Sequence, residues 1–176
     1  PLADYDPQWW RSRLGVVMQD GVIFSESVAR NIAVGDGEID ADRLVVAARM
    51  ARVDDFVASL PLGYDTRIGR NGMGLSAGQR QRILIARAVY KDPEYVFMDE
   101  ATNSLDASNE RAIVESLGEF LRGRTVLVIA HRLSTVRNAD RIAVMDRGRI
   151  VECGTHEELT AMRGAYYQLV KNQLEL

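Results

Sequence analysis

Residues 72–82, GMGLSAGQRQR, and residues 95–102, YVFMDEAT, stand little more than a helix apart, and their order decides the fold. The first is a glycine-rich, irregular run that leads into helix-forming composition from Gln79 to Tyr90, with Lys91-Asp92-Pro93 as its stop. The second belongs to an apolar run, residues 94–98, bounded by that turn and by two acids, the pattern of a buried strand. A loop feeding a helix, then a strand ending in carboxylates, belongs to an α/β protein whose ligands bind at strand carboxyl ends.

The rest of the chain fits around this centre. Downstream, Ile113, Leu117, Phe120 and Leu121 fall on one helical face, and Arg122-Gly123 closes that helix. Residues 125–130 are expected as a second buried strand. Residues 141–145 and 149–151 flank Asp146-Arg147-Gly148 as a hairpin, and Thr155-His156-Glu157-Glu158 has the form of a capping box before a closing helix. Upstream, residues 4–20 pass from a turn at Asp6-Pro7 through an amphipathic piece into a brief strand ending at Gln19. Between them, residues 40–60 carry helical spacing in Leu44, Ala47, Ala48 and Ala51, then Val53, Phe56, Val57 and Leu60, which predicts a small helical layer. The alternation predicts a mostly parallel sheet with helices against it.

Composition narrows the function classes. A chain of 176 residues suits one domain, and 47% apolar with 27% charged residues is a globular balance rather than a disordered one. The net charge of −3 argues against nucleic acid as a partner. The single cysteine, Cys153, cannot form an intramolecular disulfide, and no Cys/His set has zinc spacing. The longest apolar runs fall far short of the ~20 residues that span a bilayer. The chain opens at Pro1 without an initiator Met, so it reads as part of something longer.

Two sets of residues carry possible chemistry. At Leu75-Ser76-Ala77-Gly78-Gln79, unpaired N–H groups of a helix start, with the Ser76 hydroxyl and the close approach that Gly78 allows, can cradle a phosphate; equally, Ser76 can be an ordinary N-cap. Asp99-Glu100 follows a buried strand, where one carboxylate suits a hydrated Mg²⁺ and its neighbour suits polarising a water; the alternative is that both cap the next turn. His131 follows the run 125–130 and is expected near those acids if the strands are neighbours. The arginines of GQRQR are expected on a solvated helix face, and His156 at a helix start.

The series Gln19, LSAGQRQR, YVFMDEAT, NSLD and VIAHRLSTVRNADRI resembles the nucleotide-binding domain of ATP-binding cassette (ABC) transporters, in the right order and over nearly the whole chain. The resemblance implies a P-loop NTPase (ABC ATPase) fold: a mostly parallel sheet with flanking helices and a small helical subdomain. Residues from about 20 to 92 would form the Q-loop and helical part, and 93–176 the core with the Walker B acids and the C-terminal helix. It further implies that Ser76, Ala77, Gly78 and Gln79 form the signature, and that Asp99 and Gln19 act through Mg²⁺. Glu100 would be the water-orienting catalytic residue, His131 the switch histidine on the γ-phosphate, and Asp106 a D-loop residue near ATP. The implied partners are a second nucleotide-binding domain in a head-to-tail dimer, whose signature closes over the other's ATP, and a transmembrane domain, as in exporters. The implied place is the cytoplasmic face of a membrane, and a bacterial peptide or bacteriocin exporter is the finer expectation.

The sequence departs from the family pattern at Ala77, at Asn103-Ser104, and at Arg70, where exporters often carry a glutamate. The phosphate loop G-x-x-x-x-G-K-[ST] is a larger difference. The only lysines, Lys91 and Lys171, do not follow a glycine, so no such loop can be drawn. The chain is therefore expected to be the C-terminal portion of the domain, inactive alone, with sheet edges and apolar surface that favour self-association. The competing readings are an ATPase of the same superfamily that works on DNA, which usually needs long coiled-coil insertions not visible here, and a non-catalytic interaction module.

Overall fold

A computed structural model describes residues 2–35, 37–101, 107–130 and 136–174. The chain divides into two compact units, Pro1–Leu127 and Val128–Leu176.

The first unit is organised around one helix. Ser76 caps it and Asp92, in the left-handed region at φ 55°, ends it. In chain order this unit contains α1 (Pro7–Arg13), β1 (Leu14–Val17), α2 (Val28–Ile32), α3 (Ala41–Met50), α4 (Asp54–Ala58), the long helix α5 (Ala77–Lys91), β2 (Tyr95–Asp99) and α6 (Ala107–Leu121). Strand β3 (Thr125–Ile129) straddles the division. Leu84, Ile85, Ala88 and Val89 of α5 pack with Leu44, Ala47 and Ala48 of α3 and Val28 and Ile32 of α2 in a single buried cluster, which is the expected helical layer. Within that layer Arg52 takes φ 51° between α3 and α4, so residues 40–60 form two helices. Helix α2 has no counterpart in the sequence reading, since five residues are too few for a periodic signal.

The sheet order is β1-β2-β3, with β1 and β2 parallel and Val17 paired with Met98. On one face Gly15, Val17, Val96 and Met98 are buried beneath the helices. The other face is more open, and one expectation fails there. Residues 125–130 were expected as a buried strand, yet Leu127 is 54% and Ile129 53% exposed. Among the described residues β3 is an edge strand, and only its half-buried Val126 packs on the core. An apolar run shows affinity for burial; its place in the sheet decides whether burial occurs.

Trp10 packs on Tyr95 at 4.7 Å between ring centroids, while Trp9 stacks between Tyr5 and Arg13 near solvent. Lys91 donates to the carbonyls of Arg11 and Leu14, at 2.6 and 2.8 Å, and so closes the end of α1.

The second unit holds the hairpin of β4 (Ile142–Asp146) and β5 (Arg149–Gly154), then α7 (His156–Met162) and α8 (Ala165–Leu174). Arg147 and Gly148 both take positive φ, as a two-residue hairpin turn that follows the strand twist requires. The expected capping box is present: the Thr155 hydroxyl accepts the Glu158 N–H at 3.2 Å, and the Glu158 carboxylate accepts the Thr155 N–H at 2.9 Å.

Candidate functional site

Parallel pairing brings two of the singled-out positions to one end of the sheet. Gln19 and Glu100 each lie two residues past the last registered pair, Val17 with Met98, so the glutamine and the acids share the carboxyl ends of neighbouring strands. Adjacent strands run about 4.8 Å apart, within reach of side chains this long. Asp99 ends β2 half-buried, and Glu100 follows it, also half-buried, with φ 47°. A non-glycine residue costs about 1 kcal/mol in this left-handed region. Such geometry persists where surrounding structure imposes it, and it clusters at functional sites. The sequence signalled the acids; nothing in it signalled this backbone.

The residues expected to form the signature stand at the start of α5. The Ser76 hydroxyl accepts the Gln79 N–H at 3.2 Å, and Gln79 Oε1 accepts the Ser76 N–H at 2.9 Å, a reciprocal capping box. Both readings of Ser76 thus meet at one place: its hydroxyl is used as an N-cap. The N–H groups of Ala77 and Gly78, first in the helix, are those with no acceptor inside it. They retain the anion-attracting character of a helix start. Neither residue has positive φ, so alanine in place of the family's usual glycine meets no backbone strain.

His131 and Asp106, with the rest of residues 102–106 and 131–135, lie outside the described residues. Among the described residues no group of three His, Cys, Asp or Glu side chains could hold a metal ion. Among the described residues the oxygen donors at the strand ends are few, the carboxylates of Asp99 and Glu100 and the amide of Gln19. Such a sparse oxygen set suits Mg²⁺, which keeps several waters. A cradle for nucleotide phosphates is a different matter. Lys91 is committed to α1, and burial lowers its pKa; Lys171 lies in the second unit. Among the described residues the donors present suit a hydrated Mg²⁺ better than a triphosphate.

A parallel pair of strands with acids at its carboxyl end, beside a capped, glycine-flanked helix start, is an arrangement in which α/β proteins bind ligands and anions. A sequence profile described as ABC transporter matches residues 1–103, and the chain belongs to the ABC transporter family. It is 52% identical over 174 residues to the ATP-dependent lipid A-core flippase of Alkalilimnicola ehrlichii, a match that covers 98% of this chain and 30% of that protein. It is 47% identical over 175 residues to the leukotoxin translocation ATP-binding protein LktB of Mannheimia haemolytica, covering 99% of this chain and 25% of LktB. Among solved structures, a bacterial Atm1-family ABC exporter with ATP bound superposes with a TM-score of 0.87 at 40% identity, over 93% of this chain and 29% of that one. The chain thus spans a quarter to a third of the length of these relatives. No helix among the described residues is long and apolar enough to cross a membrane.

Proposed function

We propose that this chain acts within an ABC exporter, as the part of its ATP-binding domain that hydrolyses ATP and passes the resulting motion to a membrane-embedded partner. The observation that carries the reading is the convergence of Gln19 with Asp99 and Glu100 at the carboxyl ends of two parallel strands, in a chain that also presents a capped signature helix. In this reading residues 20–92 form the Q-loop and helical part, and residues 93–176 the core.

Asp99 and Gln19 hold Mg²⁺, which offsets the charge of the phosphates when bound. Glu100 orients the attacking water and takes its proton, and His131 meets the γ-phosphate. Ser76, Ala77, Gly78 and Gln79, with Asp106, serve the nucleotide held by a second copy of the domain in a head-to-tail dimer. The phosphate loop must come from residues outside these 176, so the chain alone is inactive. Its place is the cytoplasmic face of a membrane, and the exported molecule is chosen by the membrane-embedded part.

The test is phosphate release from Mg-ATP by a version extended upstream through a phosphate loop, beside the same protein with Glu100→Gln. A positioned general base contributes ~10²–10⁴-fold, so the variant should fall by about that factor while still binding ATP. The rate per protein should also rise with protein concentration. Failure of the extended protein to bind or hydrolyse ATP would instead support the non-catalytic interaction module.

A further inference from the structure

Gln19 lies in an irregular loop, residues 18–24, that leaves β1 and runs against α5. Its side chain is exposed and, among the described residues, has no hydrogen-bond partner, so the backbone on either side decides where it points. On one side β1 fixes it, through the pairing of Val17 with Met98. On the other side the loop is held at two places. At Gly21 a Cβ would lie 2.5 Å from Leu84 Cδ1, and Leu84 is itself buried, so the loop backbone rests directly on α5. At Phe24 the hold is polar. Arg87, three residues on from Leu84 and so on the same side of the helix, places its guanidinium carbon 5.2 Å from the Phe24 ring centroid.

Arg87 grips the loop a second time through Asn31. Its Nε donates to the Asn31 main-chain carbonyl at 2.8 Å, and its Nη2 to Asn31 Oδ1 at 3.4 Å. Asn31, fully buried, donates its amide to the carbonyls of Phe24 and Ser27, both at 3.0 Å, and its Oδ1 accepts the Phe24 N–H at 2.8 Å. Just beyond, the Ile68 N–H donates to the Glu26 carbonyl at 2.9 Å. Arg87 is half-buried; burial lowers its pKa, and among the described residues no carboxylate pairs with it. A neutral side chain of similar length would fill the same space with no charge to desolvate. What the guanidinium adds is direction: a rigid fork of donors for Asn31 and a cation for the ring face, which together set where the far end of the loop lies.

We propose that Arg87 is a positioning residue for Gln19: it pins Phe24 to α5 and, with Gly21 seated on Leu84, holds the loop so that Gln19 stays beside Asp99 at the strand ends. The proposal rests on the reading of Gln19 as a Mg²⁺ ligand. Gln19 and Phe24 are five positions apart, and a loop this short, already seated at Gly21, passes a shift at one end on to the other. Supporting groups of this kind cost about 10–100-fold in metal affinity or activity when removed, without touching the metal themselves.

The test uses the intact exporter with Arg87→Met, which keeps most of the side-chain length and removes its charge and its donors. Before any metal or nucleotide is added, hydrogen exchange should speed up at residues 20–27 and stay unchanged in β2 and the rest of α5. The kcat for Mg-ATP should fall about tenfold, the low end of that range, while binding of ATP in EDTA is unchanged. In a Gln19→Ala background the same substitution should cost nothing further, because the residue it positions is gone. Arg87→Lys keeps a cation for the ring and a donor for the Asn31 carbonyl, so it should recover part of the rate, and it takes the place of Arg87→Met in the cycle should that variant fail to fold. Losses that add in the double variant, metal-free ATP binding that weakens in step with kcat, or exchange that quickens throughout α5 and the sheet would overturn the proposal and leave Arg87 a packing residue. Hydrolysis by the parent exporter and its loss in Glu100→Gln judge the functional reading separately: a parent that hydrolyses ATP while the two losses add overturns the positioning role alone.

Discussion

The units Pro1–Leu127 and Val128–Leu176 are held together on different terms. The first has a broad core that runs through α2, α3, α5, α6 and the sheet, and it contains buried polar groups that are bonded, Asn31 above all. Among the described residues the second has four buried core residues, Ile142, Val144, Leu159 and Tyr166, with Val170 beside them. Polar contacts fill out this small core: the Thr155 box, Glu152 accepting the Ala165 and Tyr166 N–H groups at the start of α8, and His156 Nδ1 2.8 Å from the Tyr166 hydroxyl. Small cores bury too little apolar surface to stand on packing alone. The comparison teaches that individual side chains weigh more in the second unit.

The sharpest way to break that comparison is Leu159→Ala. Leu159 is fully buried, and such truncations cost about 2–5 kcal/mol depending on how far the site collapses. With so few neighbours to share the void, the upper part of that range is expected. Hydrogen exchange should show the amides of β4, β5 and α7 losing protection while those of α5 and β2 keep theirs. Equal loss in α5 and β2 would mean that the chain opens as one cooperative body and that the contrast between units has no energetic content.

Asn31→Ala makes the corresponding cut in the first unit and should cost less, about 2 kcal/mol, chiefly for taking the side-chain amide away from the Phe24 N–H and the carbonyls of Phe24 and Ser27, while Arg87 keeps its bond to the main-chain carbonyl of residue 31. The broad core around it should survive. Faster exchange confined to residues 24–27 and 67–73 is the expected signature, and collapse of the whole unit would show that the core leans on Asn31 far more than its packing suggests.

Asn31 also marks the limit of what the sequence makes legible. The motifs are readable because order and spacing are linear properties: Gln19, Ser76 to Gln79, and Asp99-Glu100 were located by them, and parallel pairing then placed Gln19 beside the acids. The helices of residues 77–91 and 107–121 and the hairpin were readable from periodicity and turn chemistry. Burial is set by topology and was not readable. An asparagine and an arginine are polar in any sequence, yet Asn31 is fully buried and Arg87 half-buried; residues 125–129 are apolar, yet mostly exposed, because β3 stands at a sheet edge. The left-handed turns at Arg52 and Glu100 were hidden for a related reason, since no glycine announces them.

The smallest expected effect lies in the Thr155 cap, and pH sharpens it. Thr155→Ala removes the hydroxyl that accepts the Glu158 N–H, a loss of about 1 kcal/mol. The Glu157 carboxylate beside it is held below the ordinary glutamate pKa first by a hydrogen bond from its own backbone N–H, against an opposing effect of burial, and then by the Thr155 hydroxyl, His156 and Arg137. A carboxylate with a folded pKa below its unfolded value stabilises the fold above the unfolded pKa, and that contribution is lost as pH falls through the folded value. The stability gap between the parent chain and Thr155→Ala should therefore be full near neutrality and narrow as the pH drops below the ordinary glutamate range, because the parent then loses the help of the Glu157 charge that the variant already lacks. Denaturant unfolding at several pH values measures this directly. A gap that stays constant into acid would assign the whole effect to the Glu158 N–H bond, and would leave the second unit held by its caps without any help from the Glu157 charge.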